Sequence, residues 1–306
     1  MAVAVVSWNT RDLLRRCLET VAPEAPYEVV VVDNGSADGS VEMVRDRFPT
    51  IRLQVLPENP GYGAAANVAL RMCASPYVLL LNSDTELRHG TLEALTRHLD
   101  GHPKAGIVGP RLLNPDGTLQ KSTFPFPSPV VPIIKRRPVA DVVGAVPLLR
   151  EAFAGAWAHD RVSPVPWVLG AALAIRRQAY ESVGGFDEHF VMYYEEVDLC
   201  YRLRRAGWDI HFSPAAEVTH IGGASTSQRR PQMLARLGLS EMDFHRRHHR
   251  GLRRAVSIGM VRGTMLYRFC RDWVGYRLAR REPRRRRLGE DMAVWREVLI
   301  RSCRVA

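Results

Sequence analysis

Val78-Leu79-Leu80-Leu81-Asn82-Ser83-Asp84 is the stretch that decides the fold. Four consecutive apolar residues read as a strand buried on both faces, as in a parallel sheet covered by helices. The polar residues that follow stand at its carboxyl end, where open α/β sheets collect ligands. A carboxylate held there can share a hard divalent cation with phosphate oxygens, so Asp84 is a candidate ligand for Mg²⁺ or Mn²⁺. Taken alone, the same residues also suit a turn carrying a solvated Asp.

The flanking sequence repeats the pattern. Val3–Val6 predicts a strand, followed by a helix over Thr10–Thr20 with Leu13, Leu14, Cys17 and Leu18 on one face. A strand at Val29–Val32, a helix at Val41–Phe48, a short strand at Ile51–Leu56 and a helix at Ala64–Cys73 lead into Tyr77–Leu81. Such alternation predicts an α/β, doubly wound, mostly parallel sheet flanked by helices. No GxGxxG follows the first strand, which disfavours a dinucleotide-binding domain. Downstream, Val168–Ile175 predicts a strand, Arg177–Val183 and Glu196–Ala206 helices, and Ile210–Ser213 and Val218–His220 the closing strands. Between Ser122 and Pro166, prolines at 125, 127, 129, 132, 138, 147, 164 and 166 predict an irregular connection, broken by a short helix near Val142–Phe153. Connections of that length inside a compact domain are usually functional or partly disordered.

The chain has 306 residues, 46% hydrophobic and 25% charged, enough to bury a large core. Its five cysteines (Cys17, Cys73, Cys200, Cys270 and Cys303) are scattered and show no metal-ligand spacing, which suggests a reducing compartment. The N-terminus opens on a strand rather than a signal peptide, and no apolar run is long enough to span a bilayer. These features predict a cytoplasmic protein. The net charge of +11 is unevenly distributed. Residues 229–306 carry 21 Arg against 7 acidic residues, a balance of +14, whereas residues 1–228 stand at −3. The expected division is therefore a domain over 1–227, with a nucleotide-binding half (1–110) and an acceptor half (111–227), and a basic helical extension over 228–306. In that extension Ile258, Met265, Leu266, Phe269, Trp273 and Tyr276 fall on one helical face, with Arg268, Arg271, Arg277 and Arg281 outside it. Arg262 and Arg280 interrupt the face, and Gly259, Gly263 and Gly275 weaken the helix. The pattern fits an anionic membrane surface or, equally, a helix packed on protein.

Polar clusters recur where strands end: Ser7-Trp8-Asn9, Asp33-Asn34-Gly35-Ser36, Asn59 with Gly61-Tyr62-Gly63, and Asn82-Ser83-Asp84. Together on one sheet they describe a nucleotide pocket. Farther on, Glu195, Glu196 and Asp198 crowd a helix start. The helix dipole favours acids there, and their mutual repulsion raises the pKa of one, as a general base requires.

These segments occur in an order that resembles the inverting glycosyltransferases of family 2, with the GT-A fold, and especially their rhamnosyltransferase-like branch. The resemblance runs from Val3 to about Ser227. It rests on SWN (7–9), VVDNGSADGS (31–40), NPGYGAAAN (59–67), LLLNSDTE (79–86), WVLGAALAIRR (167–177), GGFDEHFVMYYEEVDLCYR (184–202) and VTHIGG (218–223). It implies that Asp33 bonds the pyrimidine base, that Ser7 and Asn9 line the nucleoside site, and that Asn59 and Gly63 close over it. Asn82, Ser83 and Asp84 take the place of the family's DxD motif, with Asp84 the principal metal residue. Asn82 departs from that motif, being neutral and a weaker ligand. His220 matches a histidine that completes the metal site in some relatives, although a histidine at a strand end is often structural. Trp167, Gly170 and Asp187 match segments around the sugar and acceptor, and Trp167 equally suits the core. The acidic pair aligns with Glu195-Glu196, which makes Glu196 the expected base. Asp198 is the alternative, although its i, i+4 spacing to Arg202 predicts an ion pair.

The resemblance implies transfer of a sugar, rhamnose favoured, from a dTDP- or UDP-linked donor to a saccharide acceptor hydroxyl, with Mg²⁺ or Mn²⁺ as cofactor. The basic extension predicts attachment to the inner face of the cell membrane, where a lipid-linked acceptor would be met, with Phe124–Ile134 touching the lipid. An oligomer interface is the other use for that extension. Two rival readings exist. A nucleotidyltransferase would usually carry a glycine-rich basic loop after the first strand, which Ser7-Trp8-Asn9-Thr10 is not. A binding protein using the arginines on nucleic acid is disfavoured by the acidic set in the core.

Overall fold

The computed structural model describes residues 1–22, 27–128, 159–222 and 230–304. Strands β1 (Ala2–Ser7), β2 (Glu28–Asp33), β3 (Arg52–Val55) and β4 (Tyr77–Asn82) are parallel, in the spatial order β3-β2-β1-β4. Beyond β4 the sheet continues through β11 (Ala172–Arg176), which is antiparallel, then β6 (Ala105–Leu113), β12 (Asp209–His220) and the edge strand β5 (Thr85–Leu87). Short strands complete it: β7 (Leu119–Gln120) beside β6, β9 (Ser163–Pro164) beside β12, and a separate pair of β8 (Thr123–Phe124) with β10 (Trp167–Val168). The sheet is mostly parallel and carries helices on both faces, as the alternation predicts.

The apolar runs are continuous because both faces are covered. Ala2, Ala4, Val6, Val30, Val32 and Leu80 pack against α3 (Tyr62–Met72), α5 (Arg177–Ser182) and α6 (Glu195–Arg205). Val3, Val5, Val31, Leu79 and Leu81 point the other way, onto α1 (Arg11–Val21) and α4 (Thr91–Gly101). In α1 the buried residues Leu14, Cys17, Leu18 and Val21 follow the helical period, so one stripe meets the sheet. The sixth described helix of this region, α2 (Ser40–Arg47), follows β2.

Three expectations need correction. Val168–Ile175 is not one strand: Leu169 to Ala171 interrupt it, leaving β10 and β11. Conversely, Ile210–Ser213 and Val218–His220 are one strand, β12, whose pairing with β6 shifts register between Ser213 and Glu217. Pro214 lies in that shift, and a proline cannot donate a ladder hydrogen bond. The residues after Asp84 form β5 rather than only a turn. The helix expected near Val142–Phe153, and most of the Phe124–Ile134 stretch, lie outside the described residues.

The described residues divide into two units, 1–126 with 159–191 and 195–222, and 127–128 with 192–194 and 230–304. In the second, α7 (Arg230–His248), α8 (Gly251–Leu278) and α9 (Glu282–Arg304) enclose a core of Ala235, Met242, Val261, Met265, Val294, Trp295 and Val298. Buried Asp272 accepts the Trp295 indole N–H at 2.9 Å. The single apolar face expected for the extension is therefore split. Met265, Ile258 and Phe269 serve this core, and Arg262 bonds the Ser302 hydroxyl at 3.1 Å instead of interrupting a free face. Leu266 and Trp273 of the expected face are instead exposed on α8, together with Leu252 (80%), Val256, Tyr267, Val274 and Leu278 (74%), which share one side of the helix. Among the described residues, no helix is long and apolar enough to cross a membrane.

Candidate active site

The parallel register sets Ser7 beside Asp33, and Val6 beside Asn82, so three polar strand ends share one edge of the sheet. Asp33 is buried. Its Oδ1 accepts the Ser36 N–H at 2.8 Å, and its Oδ2 has no partner among the described residues. Asn34 donates from Nδ2 to Asn59 Oδ1 at 2.9 Å, and its own Oδ1 is likewise uncommitted. Asn59, exposed, also accepts the Gly61 N–H at 3.0 Å, which shapes the turn into α3. Gly61 has φ of 113°, and a Cβ there would stand 2.4 Å from the Val191 carbonyl oxygen, so no other residue fits. At Gly63 a Cβ would meet Phe186 at 3.4 Å and Glu195 at 3.6 Å, so this glycine lets α3 approach the acidic helix.

Ser7, Thr10 and Ser83 form a buried hydroxyl chain, 3.1 Å and 2.6 Å between successive oxygens, that ties the end of β1 to the end of β4. Asn9, in a left-handed conformation, accepts the Ala37 N–H at 2.8 Å. Ser7, Asn9, Ser83 and Asn59 thus hold the loops to one another, whereas Asn82 leaves its buried Oδ1 without a partner among the described residues.

Asp84 and His220 are brought together by strand pairing. After Asp84 the chain reverses into β5, antiparallel to β12, with Thr85 opposite His220. His220 Nε2 then lies 3.4 Å from Asp84 Oδ1. Gln120, which sequence reading missed, sets the imidazole. Its Nε2 donates to Asn114 Oδ1 and to the His220 carbonyl, so its Oε1 faces His220 Nδ1 at 2.7 Å. Gln120 Oε1 accepts the Nδ1 proton, which leaves His220 Nε2 facing the carboxylate. Two acceptors at this separation, with the uncommitted Asn82 oxygen on the same strand end, fit a shared divalent cation.

Glu195 and Glu196 open α6, directly after Tyr193 and Tyr194, whose φ values of 64° and 71° are left-handed. For side chains of this size such geometry costs about 1–2 kcal/mol per residue, strain that commonly collects at functional sites. Glu195 is buried and Glu196 half-buried, and each has a buried Oε2 without a partner among the described residues. Burial, then the neighbouring Glu196, holds Glu195 well above the usual carboxylate range. Burial raises Glu196 as well, against the pull of the backbone N–H groups of Glu196, Gly170 and Val197. Gly170 lies against Glu196, and a Cβ there would touch that side chain at 3.5 Å. Tyr62, also missed in the sequence, donates its hydroxyl to the Gly170 carbonyl at 3.3 Å. Burial, together with Glu195, Glu196 and Asp84, keeps this phenol protonated.

The remaining candidates are bonded to neighbouring segments. Asp198 accepts Arg202 Nε at 2.6 Å, and Arg202 also donates to the carbonyls of Val183 and Gly185, so the pair fastens the glycine turn to α6. Asp187 Oδ1 accepts the His189 N–H at 3.0 Å. Trp167 donates its indole N–H to the Pro125 carbonyl at 2.9 Å and packs on the core. Asn67 explains the end of its motif: it receives the Tyr180 hydroxyl and the Phe186 N–H, and donates to the Phe186 carbonyl and to Glu188.

A family model described as glycosyltransferase like family 2 matches residues 1–238. The chain belongs to glycosyltransferase family 2. The N-acetylglucosaminyl-diphospho-decaprenol L-rhamnosyltransferase of Mycobacterium tuberculosis is 32% identical to this glycosyltransferase over 305 residues, covering 94% of this chain and 96% of the relative. Rhamnosyltransferase WbbL of Escherichia coli is 24% identical over 228 residues, 71% of this chain and 82% of the relative. In fold, the glycosyltransferase is similar to mannosyltransferase PcManGT from Pyrobaculum calidifontis, solved with GDP-Man and Mn²⁺. That match has a TM-score of 0.55 at 19% identity and covers 99% of this chain and 86% of that one. The GT-A architecture and the rhamnosyltransferase-like branch agree with the expectation from the motifs.

Proposed function

We propose that this glycosyltransferase moves a rhamnose-like deoxyhexose from a dTDP- or UDP-linked donor to a hydroxyl of a lipid-linked saccharide, with inversion and with a divalent cation. The observation that carries the reading is the set of uncommitted buried acceptors at the strand ends, Asp33 Oδ2, Asn34 Oδ1 and Asn82 Oδ1, with Glu195 Oε2 and Glu196 Oε2 at the start of α6. An unpaired buried polar atom costs about 1–3 kcal/mol. A ligand that donates to these atoms removes that cost.

Asp33 supplies an acceptor for the imide N–H of uracil or thymine. Asp84 and His220 would hold the cation, with Asn82 beside them, and an imidazole in the set favours Mn²⁺ over Mg²⁺. Such a cation neutralises charge developing on the departing diphosphate. Glu196 accepts the proton of the acceptor hydroxyl as that oxygen bonds to the anomeric carbon and the bond to the diphosphate oxygen breaks on the opposite face. A single displacement of this kind inverts the configuration. Gly170 leaves the approach to Glu196 open, and Tyr62 steadies the Gly170 segment.

The acceptor class is supported by the M. tuberculosis relative, whose name specifies an N-acetylglucosaminyl-diphospho-decaprenol substrate and which aligns over nearly the whole of both chains. The decisive assay offers a panel of sugar nucleotides, with Mn²⁺ and a polyprenyl-diphosphate N-acetylglucosamine acceptor, and reads released diphosphate and the product anomer. dTDP- or UDP-linked deoxyhexose should be used best, with inversion. Preference for another donor class, or retention of configuration, would overturn the reading.

The second unit suits peripheral attachment to the inner face of the membrane. Its exposed stripe from Leu252 to Leu278 lies on a segment with a +14 balance. Apolar insertion and arginines worth about 1 kcal/mol each near an anionic surface act together there. The full chain should co-sediment with anionic vesicles, less so as salt rises, and only weakly with neutral ones. Leu252→Asp with Leu278→Asp, both fully tolerable at exposed positions, should release it. Equal recovery from both lipids, or from neither, would instead assign the stripe to a protein contact such as an oligomer interface.

A further inference from the structure

At the other end of β12 from His220, three imidazoles meet. His98 lies in the last turn of α4, His102 follows that helix, and His211 stands on β12 where the strand pairs with Val108 of β6. One ligand nitrogen from each lies within 4.8 Å of the others. His98 Nε2 and His211 Nδ1 are 2.9 Å apart. The rings of His98 and His102 stack with centroids 4.2 Å apart, and His211 meets both edge-on at 5.2 Å.

The tautomer of His102 favours ligation. His102 donates its Nδ1–H to the His98 carbonyl at 2.8 Å, which leaves the lone pair on Nε2. A backbone carbonyl on the far nitrogen is the usual way in which a protein orients a metal-binding histidine. Burial and the neighbouring histidines push His98 down to about 4 and hold His211 below its ordinary value. Arg176 braces the helix end by donating to the carbonyls of Leu99 and His102. His102 is exposed, which opens the cluster to solvent. A structural hydrogen bond would need only two of these rings.

We propose that His98, His102 and His211 form a second cation site, for a borderline transition metal of the Zn²⁺ class, with water completing a tetrahedral set. Three imidazoles select such an ion, whereas Mg²⁺ keeps to oxygen ligands. Eight residues lie between His211 and His220, and steps of roughly 3.3 Å per residue make a separation of about 25–30 Å. The ion therefore takes no part in sugar transfer. It clamps the end of α4 to β12, the strand whose far end carries His220.

The test uses tag-free full-length protein, stripped with chelator and dialysed. Co²⁺ should give visible ligand-field bands that saturate at one equivalent and are displaced by Zn²⁺. Zn²⁺ at about 100 times its Kd should raise the thermal midpoint by about 5–10 °C. His102→Ala, at an exposed position, and His211→Asn should lose the bands and the shift while remaining folded by circular dichroism. Asp84→Ala should retain both. Bands or a shift that survive in the histidine variants would overturn the assignment. So would their absence from the wild type, or their loss in Asp84→Ala alone, which would place the ion at the Asp84–His220 pair.

Discussion

Asp84→Ala should abolish sugar transfer, by roughly 10²–10³-fold or more in kcat, the scale on which one fixed charge-stabilising contact to a developing anion contributes. Asp84 is nearly buried, ends the polar sequence after β4, and faces His220 Nε2 at 3.4 Å. Its loss removes the only charged member of the proposed cation set, leaving His220 and Asn82 as neutral ligands. Nucleoside diphosphate affinity should fall together with turnover, because cation and diphosphate bind as one unit. Chelator should silence the wild type, and added Mn²⁺ should restore it. The measurements are diphosphate release and calorimetric binding of the nucleoside diphosphate, each with and without Mn²⁺. Full turnover in chelator would remove Asp84 from this role.

Glu196→Gln separates binding from chemistry. Glutamine nearly matches the shape but cannot take a proton, so kcat should fall roughly 10²–10⁴-fold while donor affinity changes little. Burial raises the Glu196 carboxyl, and only its ionised form accepts a proton. The acidic limb of the wild-type kcat profile should therefore lie above the ordinary carboxylate range, with activity lost as pH falls through it. Asp198→Asn is the contrasting variant. Its partner Arg202 is partly exposed and keeps two backbone carbonyls, so the expected cost is about 1–3 kcal/mol of stability with most of kcat retained. A folded Asp198→Asn enzyme without turnover, beside an active Glu196→Gln, would reverse the assignment of the base.

The fold was largely legible because its signals are local. Val3–Val6, Val29–Val32 and Val78–Leu81 are apolar on every residue only when both faces of a sheet are covered, and their spacing leaves room for one helix between strands. Strand ends and polar clusters coincide in one chain segment, so Asp33, Asn82 and Asp84 could be named without coordinates. The misjudged elements depend on pairing. The split of Val168–Ile175, the continuity of β12 through Pro214 and the formation of β5 are all set by which neighbour each backbone segment bonds, and that neighbour is distant in the chain. The extension was misread in part for the same reason. Helical period identifies an apolar residue on α8, but only the presence of α7 and α9 decides that Met265 is core and Leu252 is exposed.

By itself, then, the sequence determined the parallel α/β sheet, the family and most of the residues at the sheet edge, because hydrophobic period and motif order are properties of the chain. The tertiary structure decided their division of labour. The β5–β12 register sets His220 against Asp84, and Gln120, silent in the sequence, turns its lone pair that way. Ser7, Asn9 and Ser83 prove to be bound up with neighbouring loops, while Asp33, Asn82 and Glu196 keep acceptor atoms uncommitted. Whether a polar side chain is already satisfied depends on donors from remote segments, and only the folded chain brings those donors within reach.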